Sequence, residues 1–160
     1  MTPQDWLKHE DHFDSDKHKV LRGNHDPQKF AERRDFDLGN HGLFNDVFYI
    51  RGAQSLGRHD SYEGKTWYKE EELTDSEADL ALSDYVKAKP KIMITHDCPW
   101  SVAQSLFGTN IQSQTNRILQ QALEIHQPEQ WYFCHHHQSV SETIEGTRFR
   151  CLDELETTTV

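Results

Sequence analysis

Apolar residues in this chain come in short runs, and three of those runs stop against a cluster of polar side chains. Val20-Leu21-Arg22 meets Gly23-Asn24-His25-Asp26, Ile92-Met93-Ile94-Thr95 meets His96-Asp97, and Trp131-Tyr132-Phe133 meets Cys134-His135-His136-His137. Short runs of β-branched and aromatic residues read as strands. Such a chain has to bury its strands side by side and bring the polar cluster at the end of each to a common edge. Helical patterns lie between. Thr74-Asp75-Ser76-Glu77 is a capping box that opens a helix ending before Pro90, populated by Ala78, Leu80, Leu82, Tyr85 and Val86. Asn116–His126 places Ile118, Leu119, Ala122 and Leu123 on one face. Gln28–Phe36 reads as a short helix after Pro27, Lys19–Arg22 and Asp46–Arg51 as strands, and Val140–Ile144 with Thr147–Leu152 as a hairpin joined at Glu145-Gly146. Strands alternating with helices predict an α/β fold with antiparallel pairing late in the chain.

Composition narrows the class. At 160 residues there is room for one domain, with residues 1–18 as a polar leader and 19–160 as the folded unit. The hydrophobic fraction is low at 34 %, yet 4 Trp, 5 Tyr and 8 Phe can build a core, which argues against a disordered chain. No apolar run approaches the ~20 residues of a membrane helix. The segment MTPQDWLKHE lacks a signal-peptide core, so a soluble, cytoplasmic protein is expected. A net charge of -10 opposes nucleic acid and anionic membrane as partners. Cys98, Cys134 and Cys151 are odd in number and scattered, which fits a reducing compartment rather than a disulfide framework. Cys98 and Cys151 read as small buried hydrophobes.

Histidine is the outlier, with 11 residues. In open α/β sheets ligands bind beyond the carboxyl ends of the strands, so the three polar clusters should share one rim. An amide oxygen with several imidazoles there suits a divalent transition ion such as Mn, Fe, Zn or Ni. Each cluster also has a plainer reading: Gly23–Asp26 as a turn, His96 bonded to backbone, the histidine run as a solvated loop. The other clusters weigh against a mere turn at Gly23–Asp26, and the apolar strand before the histidine run favours the rim there. His136 should turn away from the ions, toward a supporting contact or solvent. Arg22, Arg51 and Arg58 are candidate phosphate contacts, with surface or packing roles as the alternative. Asn40-His41-Gly42 repeats the Gly-Asn-His pattern after Gly39 without a preceding strand and reads as a turn, and Glu70-Glu71-Glu72 reads as a solvated helix entry.

Order and spacing of these clusters resemble the calcineurin-like metallophosphoesterase family, in its bacterial and phage members, over roughly residues 19 to 152. Gly23-Asn24-His25-Asp26 is similar to the family's Gly-Asn-His-Asp/Glu motif, His96 to its lone histidine after a strand, and His135-x-His137 to its Gly-His-x-His motif, with Cys134 in place of the glycine. The resemblance implies a two-sheet β-sandwich flanked by helices. It implies that Asn24, His96 and His135 bind one metal and His137 the other, and that His25, held by Asp26, protonates the leaving group. Two ions about 4 Å apart would activate water and clamp the phosphoryl oxygens during in-line attack. Manganese is the expected metal, and a phosphorylated molecule the expected substrate.

The family's upstream motifs, Asp-x-His and Gly-Asp, have no counterpart at strand ends. Each normally ends its own strand, a βαβ unit takes about 30 residues, and 22 residues precede Gly23. Asp16-Lys17-His18 matches Asp-x-His literally, but an extended chain at ~3.3 Å per residue sets it roughly 16 Å from the rim, at the wrong end of the strand. The expectation is therefore a truncated remnant of the sandwich without its N-terminal βα units, with weak or absent hydrolysis on its own. The same gap allows two other outcomes. One is a degenerate metal-binding or regulatory module that keeps one ion. The other is a split fragment completed by a complementary N-terminal segment or by a homodimer partner.

Overall fold

In the computed structural model the described residues are 14–26, 35–55, 63 and 67–160. They build a mixed α/β fold around one six-stranded sheet: β1 (His41–Phe44), β2 (Val47–Ile50), β3 (Ile92–Thr95), β4 (Gln130–Phe133), β5 (Val140–Ile144) and β6 (Thr147–Cys151). The spatial order is β1-β2-β3-β4-β6-β5. The four inner strands run parallel, and an antiparallel hairpin closes each edge. Both hairpins turn through two residues with positive φ, Asn45-Asp46 and Glu145-Gly146, as the twist of paired strands requires.

Among the described residues there are three helices: α1 (Asp75–Ala88), α2 (Trp100–Phe107) and α3 (Gln114–Ile125). The predicted capping box at Thr74 is present, with Glu77 N–H donating to its hydroxyl and Thr74 N–H donating to the Glu77 carboxylate. Ser113 and Asn116 make a second box at the start of α3. Its buried face carries Ile118, Leu119, Ala122 and Leu123, as the spacing predicts. In α1 the buried residues are Ala78, Ala81 and Tyr85, while Leu80 and Val86 face outward. Helix α2 carries no capping side chain; it starts after Pro99 and stops at Gly108, whose φ of 67° ends it in a left-handed cap.

Strand register draws one row of side chains across the sheet: Phe48 beside Met93, Met93 beside Trp131, Trp131 beside Phe149. All four are buried in one core with Leu119, Ala122 and Tyr85. Burying a large apolar side chain contributes about 1.5–3 kcal/mol, so this row fixes which face of each strand meets the helices. The Trp131 indole N–H donates to Thr95 Oγ1 at 2.8 Å.

Several sequence expectations change. Lys19–Arg22 forms a single bridge, Val20 to Asp37, rather than a strand. It still reaches the rim, because Gly52 N–H donates to the Arg22 carbonyl just past the end of β2. Asn40-His41-Gly42 is no turn. His41 opens edge strand β1, and Asn40 Oδ1 accepts from both Arg22 and Arg51. The expected Gln28–Phe36 helix lies mostly outside the described residues, as does most of the leader. Among the described residues there is one sheet, and no helix is long and apolar enough to cross a membrane.

Candidate functional site

The carboxyl ends of β3 and β4 and the turn after Arg22 meet at a cleft of about 300 Å³, lined by Gly23, Asn24, His25, Asp26, His96, Cys134, His135 and His137, and also by Leu152–Leu155. The backbone ties the two strand ends together: Cys134 N–H donates to the His96 carbonyl at 3.1 Å. The cleft therefore gathers Asn24, His25, His96, His135 and His137 from three separate stretches of chain.

Asn24 and His96 are 72 positions apart in sequence, and their side chains touch, with Asn24 Oδ1 and His96 Nε2 2.9 Å apart. A directed chain of donors fixes both. The Ser55 hydroxyl donates to the Glu71 carboxylate at 2.7 Å, and the Asn24 amide N–H donates to Ser55 Oγ at 3.1 Å. That bond turns the Asn24 carbonyl oxygen toward His96. Since this oxygen can only accept, Nε2 of His96 carries the proton, and Nδ1 accepts from the Cys134 thiol at 3.1 Å. Glu71 is 2 % exposed and also accepts from Ser55 N–H at 3.0 Å. It is a buried anchor of the site, not the solvated helix entry its neighbours Glu70 and Glu72 suggest.

Desolvation and the nearby His135 push the His96 pKa down to about 3. Burial lowers His135 as well, so both imidazoles are neutral near pH 7. Their rings meet edge to face, with centroids 5.2 Å apart. Burial raises the Cys134 thiol to about 11, which keeps its proton available for His96. His135 and His137 both have positive φ, 67° and 51°, so the loop coils sharply after β4. His137 is exposed, and its Nδ1 lies 2.7 Å from Oε1 of Glu154, which also lines the cleft. His25 is exposed at the cleft. Asp26 accepts from Gly23 N–H at 2.9 Å and closes the turn that carries His25.

The arginines stand elsewhere. The Arg22 guanidinium is buried, donating from Nε to Asp37 at 3.1 Å and from Nη2 to Asn40 at 3.3 Å, and it does not line the cleft. These contacts are the packing role that its sequence context left open. Arg51 is buried in the same way against Asn40 and the Glu70 carbonyl. Arg58 lies outside the described residues. Asp16 and His18 sit in a local turn, where the Asp14 N–H donates to His18 Nδ1 at 3.0 Å, and neither lines the cleft. His136 turns inward, with Nε2 3.3 Å from Asp97 Oδ1. Burial acts to raise the Asp97 pKa, but the bond from His136 and the neighbouring His135 hold it below the usual value.

Compared with known proteins, the chain matches no family model, no curated protein and no solved structure.

Proposed function

We propose that the chain is a metal-dependent phosphoesterase of the calcineurin-like type, an α/β remnant of that family's sandwich. In this reading Asn24, His96 and His135 hold one divalent ion, manganese first among the candidates, and His137 belongs to a second. The observation that carries it is the meeting of Asn24 Oδ1 and His96 Nε2 at 2.9 Å, beside His135, in a cleft that also holds His25. For an octahedral ion with bonds of about 2.1 Å, adjacent ligand atoms stand roughly 3.0 Å apart, so this pair would fit one edge once the ring proton has moved from Nε2 to Nδ1, where it faces the Cys134 sulfur.

An ion held there would supply positive charge to the phosphoryl oxygens and acidify a bound water. The rest falls to the chain's own residues. Ser55 and Glu71 keep the Asn24 oxygen aimed at the rim, and Gly23 gives the His96 ring room to lie against the turn. His25 donates its proton to the leaving oxygen as the phosphorus–oxygen bond breaks, and recovers one from solvent.

The test is Mn²⁺-dependent hydrolysis of an aryl phosphodiester by the full chain and by His25→Ala. The expected result is slow turnover that falls by about 10²–10⁴-fold in the variant, with Mn²⁺ affinity unchanged. Equal turnover in both proteins overturns the role of His25. One observation favours a second reading, a one-ion binding module. His137 pairs with Glu154 at 2.7 Å, while Asn24 and His96 pair with each other. A stoichiometry of one Mn²⁺ per chain with no turnover would establish that module instead.

A further inference from the structure

Behind the cleft, a second set of side chains converges. Asp97 and Cys98 lie just past β3, His136 lies just past β4, and their ligand atoms are all within 4.8 Å of one another. We propose that Asp97, Cys98 and His136 form a buried zinc-type centre, separate from the rim. It does not depend on the phosphoesterase reading, since none of the three lines the cleft.

The distances carry the argument. His136 Nε2 is 3.3 Å from Asp97 Oδ1 and 3.7 Å from Cys98 Sγ. A tetrahedral zinc with bonds of about 2.0–2.1 Å to nitrogen and oxygen and ~2.3 Å to sulfur has N···O and N···S edges of roughly 3.3 and 3.6 Å. The site thus already has the spacing of two tetrahedron edges. Carboxylate, thiolate and imidazole together form a donor set of the kind zinc takes, and three protein ligands with water at the fourth corner is a known zinc composition.

The ligands are also held in place. The His136 ring stacks on Phe107 of α2 with centroids 4.1 Å apart, and Phe133 stands against it edge to face. Cys98 N–H donates to Asp97 Oδ1 at 2.7 Å, Thr95 Oγ1 donates to the Asp97 carbonyl, and Asn116 of α3 donates to the Cys98 carbonyl at 2.7 Å. Such outer contacts orient metal ligands. Charge points the same way. Asp97 and Cys98 are 3 % and 0 % exposed. A divalent ion that displaces the Cys98 proton would make carboxylate, thiolate and ion neutral together, which is the favourable way to bury a carboxylate. The three-histidine loop would then serve two sites, His135 and His137 outward and His136 inward.

The test titrates metal-stripped full chain with Co²⁺ and tracks absorbance in wild type, Cys98→Ser, His136→Gln and Cys134→Ser. Expected are a thiolate-to-cobalt charge-transfer band in wild type and Cys134→Ser, its absence in Cys98→Ser, and an affinity more than about tenfold weaker in His136→Gln. No band in wild type, or one that survives in Cys98→Ser, overturns the assignment. X-ray absorption of zinc-loaded Cys134→Ser needs no change at the site itself. A sulfur shell at ~2.3 Å supports the centre, and a shell of nitrogen and oxygen alone overturns it. Phosphodiester turnover in Cys98→Ser stays at the wild-type level, so failure here and failure of the phosphoesterase reading are told apart.

Discussion

The imidazole of His96 lies so close to Gly23 that a Cβ on the glycine would stand 2.6 Å from both Nε2 and Cε1 of the ring. The glycine of Gly23-Asn24-His25-Asp26 is therefore needed for space. Gly23→Ala should push the ring off Asn24, weakening Mn²⁺ binding at the proposed rim site by roughly 10–100-fold, with an overpacking cost of about 1–3 kcal/mol. Isothermal titration with Mn²⁺ beside a denaturation curve checks both. Unchanged affinity would show that the ring can move without losing the ion.

The buried Ser55 hydroxyl both accepts from Asn24 and donates to Glu71. Ser55→Ala leaves two buried polar groups short of a partner, which should cost about 1–3 kcal/mol. Urea unfolding would measure it. The same variant frees the Asn24 amide to rotate, so Mn²⁺ affinity should fall with stability. A Ser55→Ala protein as stable as wild type would mean that water fills the gap.

Acid should destabilise the metal-free protein through His96. Its pKa is pushed to about 3 in the folded state, against 6.5 for an ordinary imidazole. Below pH 6.5 the unfolded chain takes up the proton first, so stability present above that pH is lost as the pH falls toward 3. Thermal midpoints from pH 7 to pH 4 should decline, and His96→Gln should decline less. Equal slopes in both proteins would remove His96 from the account.

Arg22 gives a sharper contrast. Its side chain and that of Asp37 are 3 % and 5 % exposed. Arg22→Ala strands a buried carboxylate, a change that costs about 3–5 kcal/mol. On the proposed phosphoesterase reading, KM for an aryl phosphodiester in any surviving folded protein should not move. A raised KM at full stability would restore Arg22 as a phosphate contact.

Much of this layout is legible in the sequence because short-range signals and long-range packing agree. The capping box at Thr74, the apolar face of α3 and the turn at Glu145-Gly146 each carry their own local chemistry. Helix α2 is not legible. It is eight residues long, starts after a proline and has no capping side chain. Strand β1 is obscured by Asn40-His41-Gly42, whose turn-forming residues are overridden by pairing with β2. Glu71 hides inside a run of three acids, and only the fold shows that one of them is buried under Ser55. The pattern of the histidine loop turns His136 away from the rim but does not say toward what. Its meeting with Asp97 and Cys98 depends on how two strand ends are spaced, which no stretch of sequence records.

Asn24 meets His96 over a separation of 72 positions, and His96 meets Cys134 over 38 more. Contacts of such span carry a loop-closure cost and form slowly. During synthesis the Gly23–Asp26 turn leaves the ribosome long before the strands that complete its surroundings. A bound ion at this rim would therefore be a mark of maturity: a nascent or partly folded chain has the histidines but not the site.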